Sequence, residues 1–366
     1  MGESTLPRLV VDLRMMDSGG IGTYLRNLLP ELMDRLPGTR FVLLGQGTEL
    51  ASQSWVHRDD VELVQFEADI YSCGEQFGYL RRACCGDLFW SPHFNVPVLR
   101  GGKLLVTVHD LFHLANPESA SGLKHLYAKI MFAAIKRKAA AIICVSNFTA
   151  AEFARLAGPT PKLRPIHIGV ADDWFRIERG KPVHNRPYIL FVGNVKPHKN
   201  LSGLLQAFIL LEKQIAHGLV IVGRKEGFRT GDEESVRSAE ALGERVRLTG
   251  RLEGSELQQF VTQAEVLVFP SFYEGFGLPP LEAMACGCPV VASNAASIPE
   301  ICGEAVLYCD PCDPRDIANQ ILRIITDSTL RESLRRKGLE RARRFTWARC
   351  ADETALVIDE LLHRGR

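Results

Sequence analysis

Short runs of consecutive apolar, mostly β-branched residues alternate with stretches of helical spacing along almost the whole chain. The pattern predicts strands over residues 8–13, 41–44, 61–66, 88–91, 104–109, 141–145 and 164–168. The scheme then repeats, with strands over 188–192, 219–222, 246–248, 266–269, 290–292 and 305–308. Helical spacing lies between them, for example over 23–36, 123–138 and 201–211. Strands that are apolar at every position are covered on both faces, and their alternation with helices makes the sheets parallel. The polar, proline-bounded stretch 172–187 reads as an interdomain linker. The expected architecture is α/β, two doubly wound Rossmann-like domains over 1–171 and 188–347 facing each other across a cleft, with a C-terminal helix over about 348–366 packing back on the first. Loops at the carboxyl ends of the strands are where ligands are expected.

Composition narrows the class. The 366 residues are 46% hydrophobic and 24% charged, which excludes a largely disordered chain. Lys plus Arg number 44 against 43 Asp plus Glu, so no bulk charge attracts nucleic acid and any anion site is local. The apolar runs fall short of the ~20 residues that cross a bilayer. The opening MGESTLPRLVVDL lacks the charge-then-apolar pattern of a secretion signal, so a cytoplasmic location is expected. Of ten cysteines, Cys84 and Cys85 are adjacent, Cys286 and Cys288 flank a glycine, and only Cys309 and Cys312 form a CxxC. That spacing fits reduced thiols better than a zinc site. The Arg-rich stretch 331–344 reads as a solvated helix face.

Candidate chemistry concentrates in FPSFYEGFGLPPLEAMACGCPVVAS, residues 269–293. The segment leaves an apolar strand, passes Gly275 and Gly277, and enters a helix with Pro279 and Pro280 in its first turn, where a missing N–H costs nothing. Free first-turn amides and the helix dipole favour a phosphate, and the glycines let it approach. Glu274 and Glu282 beside such a cradle suit the hydroxyls of a sugar or a ribose; they also read simply as dipole-favoured acids at a helix N-terminus.

EGFGLPPLE resembles the E-x7-E signature of retaining GT-B glycosyltransferases, in particular glycosyltransferase family 4. SGGIGTY (18–24), VTVHDLFHL (106–114), VSNFTAAE (145–152) and FVGNVKPHKN (191–200) fall in the family's order and spacing, so the resemblance spans nearly the whole chain. EQFGYL, DLFWSPHFNVP and VHDLFH are similar to the bacterial O-antigen mannosyltransferases of that family. The resemblance implies a GT-B fold and retaining transfer of a hexose from a nucleoside diphosphate sugar, GDP-mannose by subfamily. The acceptor it implies is a glycan or lipid-linked saccharide of surface polysaccharide synthesis. It implies that Gly19 and Gly20 meet the donor phosphates or the acceptor, and that His109 touches the transferred sugar. It gives Lys199 the diphosphate, Glu274 the sugar, the amides of Gly275, Phe276, Gly277 and Leu278 the phosphates, and Glu282 the ribose. Many members carry an arginine where this chain has Asn194, which throws phosphate charge onto Lys199, with Lys196 or Arg224 as helpers. The base is expected to meet backbone groups around 249–253.

No Asp-x-Asp occurs in the chain, so catalysis without a metal or other cofactor is expected, with the departing phosphate taking the acceptor proton. A nicotinamide oxidoreductase wants GxGxxG, and Leu25 stands at its third glycine. A phosphorylase with lysine-bound pyridoxal phosphate wants a longer chain. A UDP- or dTDP-sugar donor, or a non-catalytic nucleotide-sugar binder, stays open. GGIG also reads as a plain strand-to-helix turn, His109–Asp110 as a cap, and His93 and His113 as packing or loop residues. The helix over 123–138 carries Lys124, Lys129, Lys136, Arg137 and Lys138. It reads either as a core-facing helix with a solvated basic face or as one resting on the anionic inner face of a membrane.

Overall fold

The computed structural model describes residues 6–46, 50–51, 53–82, 86–99, 101–116, 122–223 and 233–363; Cys84, Cys85 and Arg224 lie outside them. The chain forms two compact units, one of residues 1–169 and 346–366 and one of residues 170–345.

In the first unit, strands β1 (Arg8–Asp12), β2 (Arg40–Gly45), β3 (Val61–Gln65), β4 (Leu88–Ser91), β5 (Lys103–Val108), β6 (Ala141–Cys144) and β7 (Leu163–Pro165) form one sheet among the described residues, in the order β3-β2-β1-β4-β5-β6-β7. Every neighbouring pair is parallel. Leu9, Val10 and Val11 of β1 are fully buried, as their uninterrupted apolar run requires of a strand covered on both faces. The helix Gly19–Arg35 turns Leu25, Leu28, Leu29 and Leu32 inward at i, i+3, i+4 and i+7. Each fully buried leucine stabilises the fold by roughly 1.5–3 kcal/mol. The last helix, Trp347–His363, lies on it: Arg35 Nε meets Asp352 Oδ1 at 2.5 Å, and Lys103 Nζ donates to the Leu361 carbonyl at 2.6 Å, a cation at a helix C-terminus. Gly169 is required there, because a Cβ would sit 2.2 Å from the Trp347 nitrogen.

In the second unit, β8 (Tyr188–Val192), β9 (Gly218–Val222), β10 (Val246–Gly250), β11 (Val266–Phe269), β12 (Val290–Ser293) and β13 (Leu307–Cys309) pair in the order β10-β9-β8-β11-β12-β13, again all parallel. The strand order reverses between β1 and β4 in one sheet and between β8 and β11 in the other. Each reversal opens a crevice at the strands' carboxyl ends.

Three expectations need correction. The first helix begins at Gly19 and not at residue 23: the Gly22 amide bonds the Ser18 carbonyl at 3.1 Å, so Gly19 and Gly20 lie in its first turn. The stretch 172–187 is part of the second unit and not a linker. Gln259 accepts from the Gly180 amide at 2.8 Å and donates to the Glu178 carbonyl at 2.8 Å, while Gln263 holds Val183 and Lys181 in the same way. Trp174 is buried within this segment. The arginines of the helix Ser328–Ala342 are only partly solvated: Arg331 pairs with Glu265 at 2.6 Å and Arg341 donates to the Ile301 carbonyl at 2.8 Å.

The described cysteines carry free thiols, with Cys309 buried and Cys312 exposed. The helix Gly122–Lys138 buries Ala128, Met131, Phe132 and Ile135, yet leaves Leu123, Leu126 and Ile130 exposed beside Lys124 and Lys129. Among the described residues, no helix is long and apolar enough to cross a membrane.

Candidate functional site

The residues singled out in the second unit collect at the carboxyl ends of β8 and β11. After β8 the chain makes a short turn of 3-10 helix, Pro197–Lys199, and reaches Asn200 in the left-handed region at φ 57°. Asn tolerates that conformation better than most residues. Its Oδ1 accepts from the Gly203 amide at 3.1 Å, capping the helix Leu201–Leu211. Its Nδ2 donates to the Pro270 and Pro311 carbonyls at 3.1 and 2.7 Å. The Phe272 amide in turn donates to the His198 carbonyl at 2.8 Å. The exits of β8 and β11 are thereby tied together.

That tie brings Lys199 and Glu274 into a bidentate ion pair, with Nζ 2.5 and 2.7 Å from the two carboxylate oxygens and 5.6 Å from the Phe269 ring centroid. The pair is largely withdrawn from water, which strengthens it and makes loss of either member costly. The backbone behind Glu274 is fixed by Ser297, fully buried, whose hydroxyl oxygen lies 3.0 and 2.8 Å from the Glu274 and Phe276 carbonyls.

The chain enters the helix Leu278–Ala285 through Gly277 at φ +113°, with no side-chain cap. Pro279 and Pro280 carry no N–H, so Gly277 and Leu278 supply the amides of this entrance. The side chain of Phe276 is buried edge-on against Phe345 at 5.9 Å and packs there, so what Phe276 offers a phosphate is its amide, as expected from the resemblance. One turn on, Glu282 is half-buried, and its carboxylate has no hydrogen-bond partner among the described residues. Burial, assisted by the charge of Asp173, pushes it up to about 7. Asn194 is exposed and makes no side-chain hydrogen bond among the described residues, and Lys196 is exposed beside it. At the end of β10, Gly250 stands at φ +80° and its carbonyl accepts from the Gly223 amide at 2.9 Å.

In the first unit, Gly19 and Gly20 open the helix Gly19–Arg35, and a Cβ on either would meet nothing within 4 Å. Gly22 differs, because its Cβ would sit 2.1 Å from the Met16 carbonyl oxygen. Gly22 is therefore a packing glycine, and Gly19 and Gly20 leave open space. His109, at the end of β5, has Nε2 2.9 Å from the Pro92 carbonyl, so Nε2 carries the proton and Nδ1 is left as an acceptor. Burial pushes the ring down to about 4, and it is neutral at pH 7. Asp110 caps the following turn through the Phe112 amide at 2.9 Å.

Ser297 was not legible in the sequence, because nothing local links it to a loop more than twenty positions earlier. Among the described residues, no three His, Cys, Asp or Glu side chains converge as metal ligands.

Comparison with known proteins gives the family. Residues 172–341 match the model of "Glycosyl transferases group 1" and residues 18–174 that of "Glycosyltransferase Family 4". The chain is 32% identical over 281 residues to O-antigen chain mannosyltransferase B of Escherichia coli, covering 73% of this chain and 72% of that protein. It is 29% identical over 273 residues to the serotype-specific mannosyltransferase WbdA of Escherichia coli, spanning 70% of this chain but 33% of that longer protein. In structure it is similar to sucrose-phosphate synthase from Thermosynechococcus elongatus, with a TM-score of 0.80 at 20% identity, over 97% of this chain and 99% of the other. The chain belongs to glycosyltransferase family 4 and is a glycosyltransferase of the GT-B fold.

Proposed function

We propose that this enzyme transfers a hexose, with retention of anomeric configuration and without a metal, from a nucleoside diphosphate sugar to a saccharide or lipid-linked saccharide of a bacterial surface polysaccharide. GDP-mannose is the proposed donor, by likeness to O-antigen mannosyltransferases. The observation that carries the reading is the Lys199–Glu274 pair beside the uncapped entrance at Gly277, with the unpartnered Glu282 carboxylate one turn beyond.

Departure of the nucleoside diphosphate builds negative charge on its outer phosphate and positive charge on the sugar ring. Fixed donors stabilise that phosphate charge without reorganising, and Lys199 with the Gly277 and Leu278 amides supplies them. Lys199 and Glu274 neutralise each other. A bound diphosphate competes for Lys199 and frees Glu274 to accept from sugar hydroxyls and to face the developing positive ring. Glu282 accepts from the vicinal ribose hydroxyls. In the first unit, Nδ1 of His109 offers a neutral acceptor to a sugar hydroxyl, and the open first turn at Gly19 and Gly20 admits a ligand against its amides. The acceptor proton leaves on the departing phosphate.

Exposed Leu123, Leu126 and Ile130 beside Lys124 and Lys129 support peripheral contact with an anionic membrane face, where a lipid-linked acceptor is presented.

A thermal-shift panel of GDP-, UDP- and dTDP-hexoses, each with and without EDTA, tests the reading. GDP-mannose is expected to stabilise most, by about 2.7 kcal/mol at 100 times its Kd, and EDTA to change neither that shift nor turnover. No shift with any nucleotide sugar, or turnover abolished by EDTA and restored by magnesium, contradicts it.

A further inference from the structure

The loop before the helix Cys73–Arg82 holds a tyrosine in an expensive place. Tyr71 stands at φ +71°, a left-handed conformation that a bulky residue adopts only when its surroundings impose it, yet the residue is 51% exposed. What imposes it is a buried ionic network. The Tyr71 amide donates to Glu75 Oε2 at 3.2 Å. Glu75 Oε1 lies 2.6 Å from Arg14 Nη2, which also meets Asp12 Oδ2 at 2.6 Å. Arg14 Nη1 donates to the Ala68 carbonyl at 2.9 Å, and Tyr79 bonds Asp12 at 2.6 Å. The loop is gripped on both sides of Tyr71 by charges that are themselves costly to bury.

Even so, half of Tyr71 stays in water. Tyr71 belongs to an aromatic group at the carboxyl end of β4, where the first sheet reverses its order. Phe94 is stacked on it at 5.9 Å, Tyr127 meets it edge-on at 5.6 Å and His93 at 6.5 Å. Inside this group two polar atoms, His93 Nε2 and Asn95 Nδ2, are buried without a hydrogen-bond partner. His93 Nδ1 accepts from the Asn95 amide at 3.0 Å, so its Nε2 carries the proton, and Tyr127 bonds Asn95 Oδ1, so its Nδ2 is the free end. Both orphans are donors.

A half-exposed tyrosine grouped with two unsatisfied donors matches one ligand chemistry: a flat apolar face of C–H groups with hydroxyl oxygens around its edge. We propose that Tyr71, His93 and Asn95 form a subsite for a pyranose ring of the saccharide acceptor, with Tyr71 as the stacking residue and Glu75 and Arg14 as positioning residues. The inference rests on the glycosyl-transfer reading and names its acceptor-side contacts. A bound sugar reaches the two donors by tilting the half-exposed Tyr71 ring.

The test is ligand-observed saturation-transfer NMR on the full chain, with methyl α-D-mannoside, methyl α-D-glucoside and methyl α-N-acetylglucosaminide as probes. Calorimetry with GDP-mannose and a melting curve accompany it. Tyr71→Phe keeps the ring; Tyr71→Gly removes it at a backbone conformation that glycine adopts freely, with the melting curve and GDP-mannose binding reporting that the variant is folded. Saturation of at least one probe is expected with the parent and Tyr71→Phe, and on the order of tenfold weaker binding with Tyr71→Gly, a difference of about 1.4 kcal/mol. GDP-mannose affinity stays unchanged in all three. Equal saturation by parent and Tyr71→Gly overturns the proposal. So does the absence of any saturation by a parent that binds GDP-mannose, which leaves the glycosyl-transfer reading standing; a parent that binds neither loses both.

Discussion

Lys199 and Glu274 are 75 positions apart in the chain, yet the ammonium of one lies 2.5 and 2.7 Å from both carboxylate oxygens of the other. The contact exists because Asn200, next to the lysine, is bonded to the Pro270 carbonyl at 3.1 Å, and because Ser297 fixes the carbonyl of the glutamate itself at 3.0 Å. Two residues that resemblance assigns to different parts of one donor are thus a single electrostatic unit.

The raised titration of Glu282 gives a pH dependence with a definite sign. Its folded value near 7 lies above the ordinary 4.5, so the folded state prefers the protonated acid. Its contribution to stability is fully present below about pH 4.5 and is lost as pH rises through about 7. Glu282→Gln should therefore gain in Tm over the parent between pH 5 and pH 8. Nucleoside diphosphate affinity should move the opposite way: the parent binds more tightly as the carboxylate ionises, and the variant lacks that increment. Parallel pH curves for the two proteins would refute the assignment.

The first-turn glycines separate space from packing. Gly20→Val starts a side chain from a Cβ position with nothing within 4 Å, so Tm should shift by little while activity falls steeply through blocked ligand approach. Gly22→Val drives a side chain into the Met16 carbonyl and should destabilise by about 1–3 kcal/mol or more. Chemical denaturation and a transfer assay on both variants read the contrast.

Much of this was legible beforehand. The uninterrupted apolar runs located the strands, because a strand covered on both faces leaves little room for polar residues; the ends differed by three residues at most. Gly277 and the double proline announced the helix entrance. The stretch 172–187 misled because its polarity resembles a linker, whereas its backbone is satisfied by Gln259 and Gln263, whose amide side chains carry no such message in sequence. The grip of Arg14 and Glu75 on Tyr71 was invisible for a similar reason: the partners are 61 positions apart, and a left-handed tyrosine has no sequence mark.

Membrane contact is checked by flotation with vesicles. The parent chain should float with vesicles containing anionic phosphatidylglycerol and remain behind with purely zwitterionic ones. Leu126→Glu combined with Ile130→Glu, on exposed positions, should abolish flotation without lowering Tm. Flotation unaffected by the double substitution would rule this face out.

The central claim divides the donor between two carboxylates, and calorimetry of free GDP at pH 8, where Glu282 is mostly ionised, tests it most directly. Glu282→Gln should weaken GDP by about 1.5–3 kcal/mol, the worth of hydrogen bonds to a charged group, because the ribose is present in that ligand. Glu274→Gln should leave GDP affinity intact or slightly improved, since Lys199 is released to the phosphates, while kcat for transfer falls because its partner is the sugar. Equal weakening of GDP by both substitutions would contradict the account.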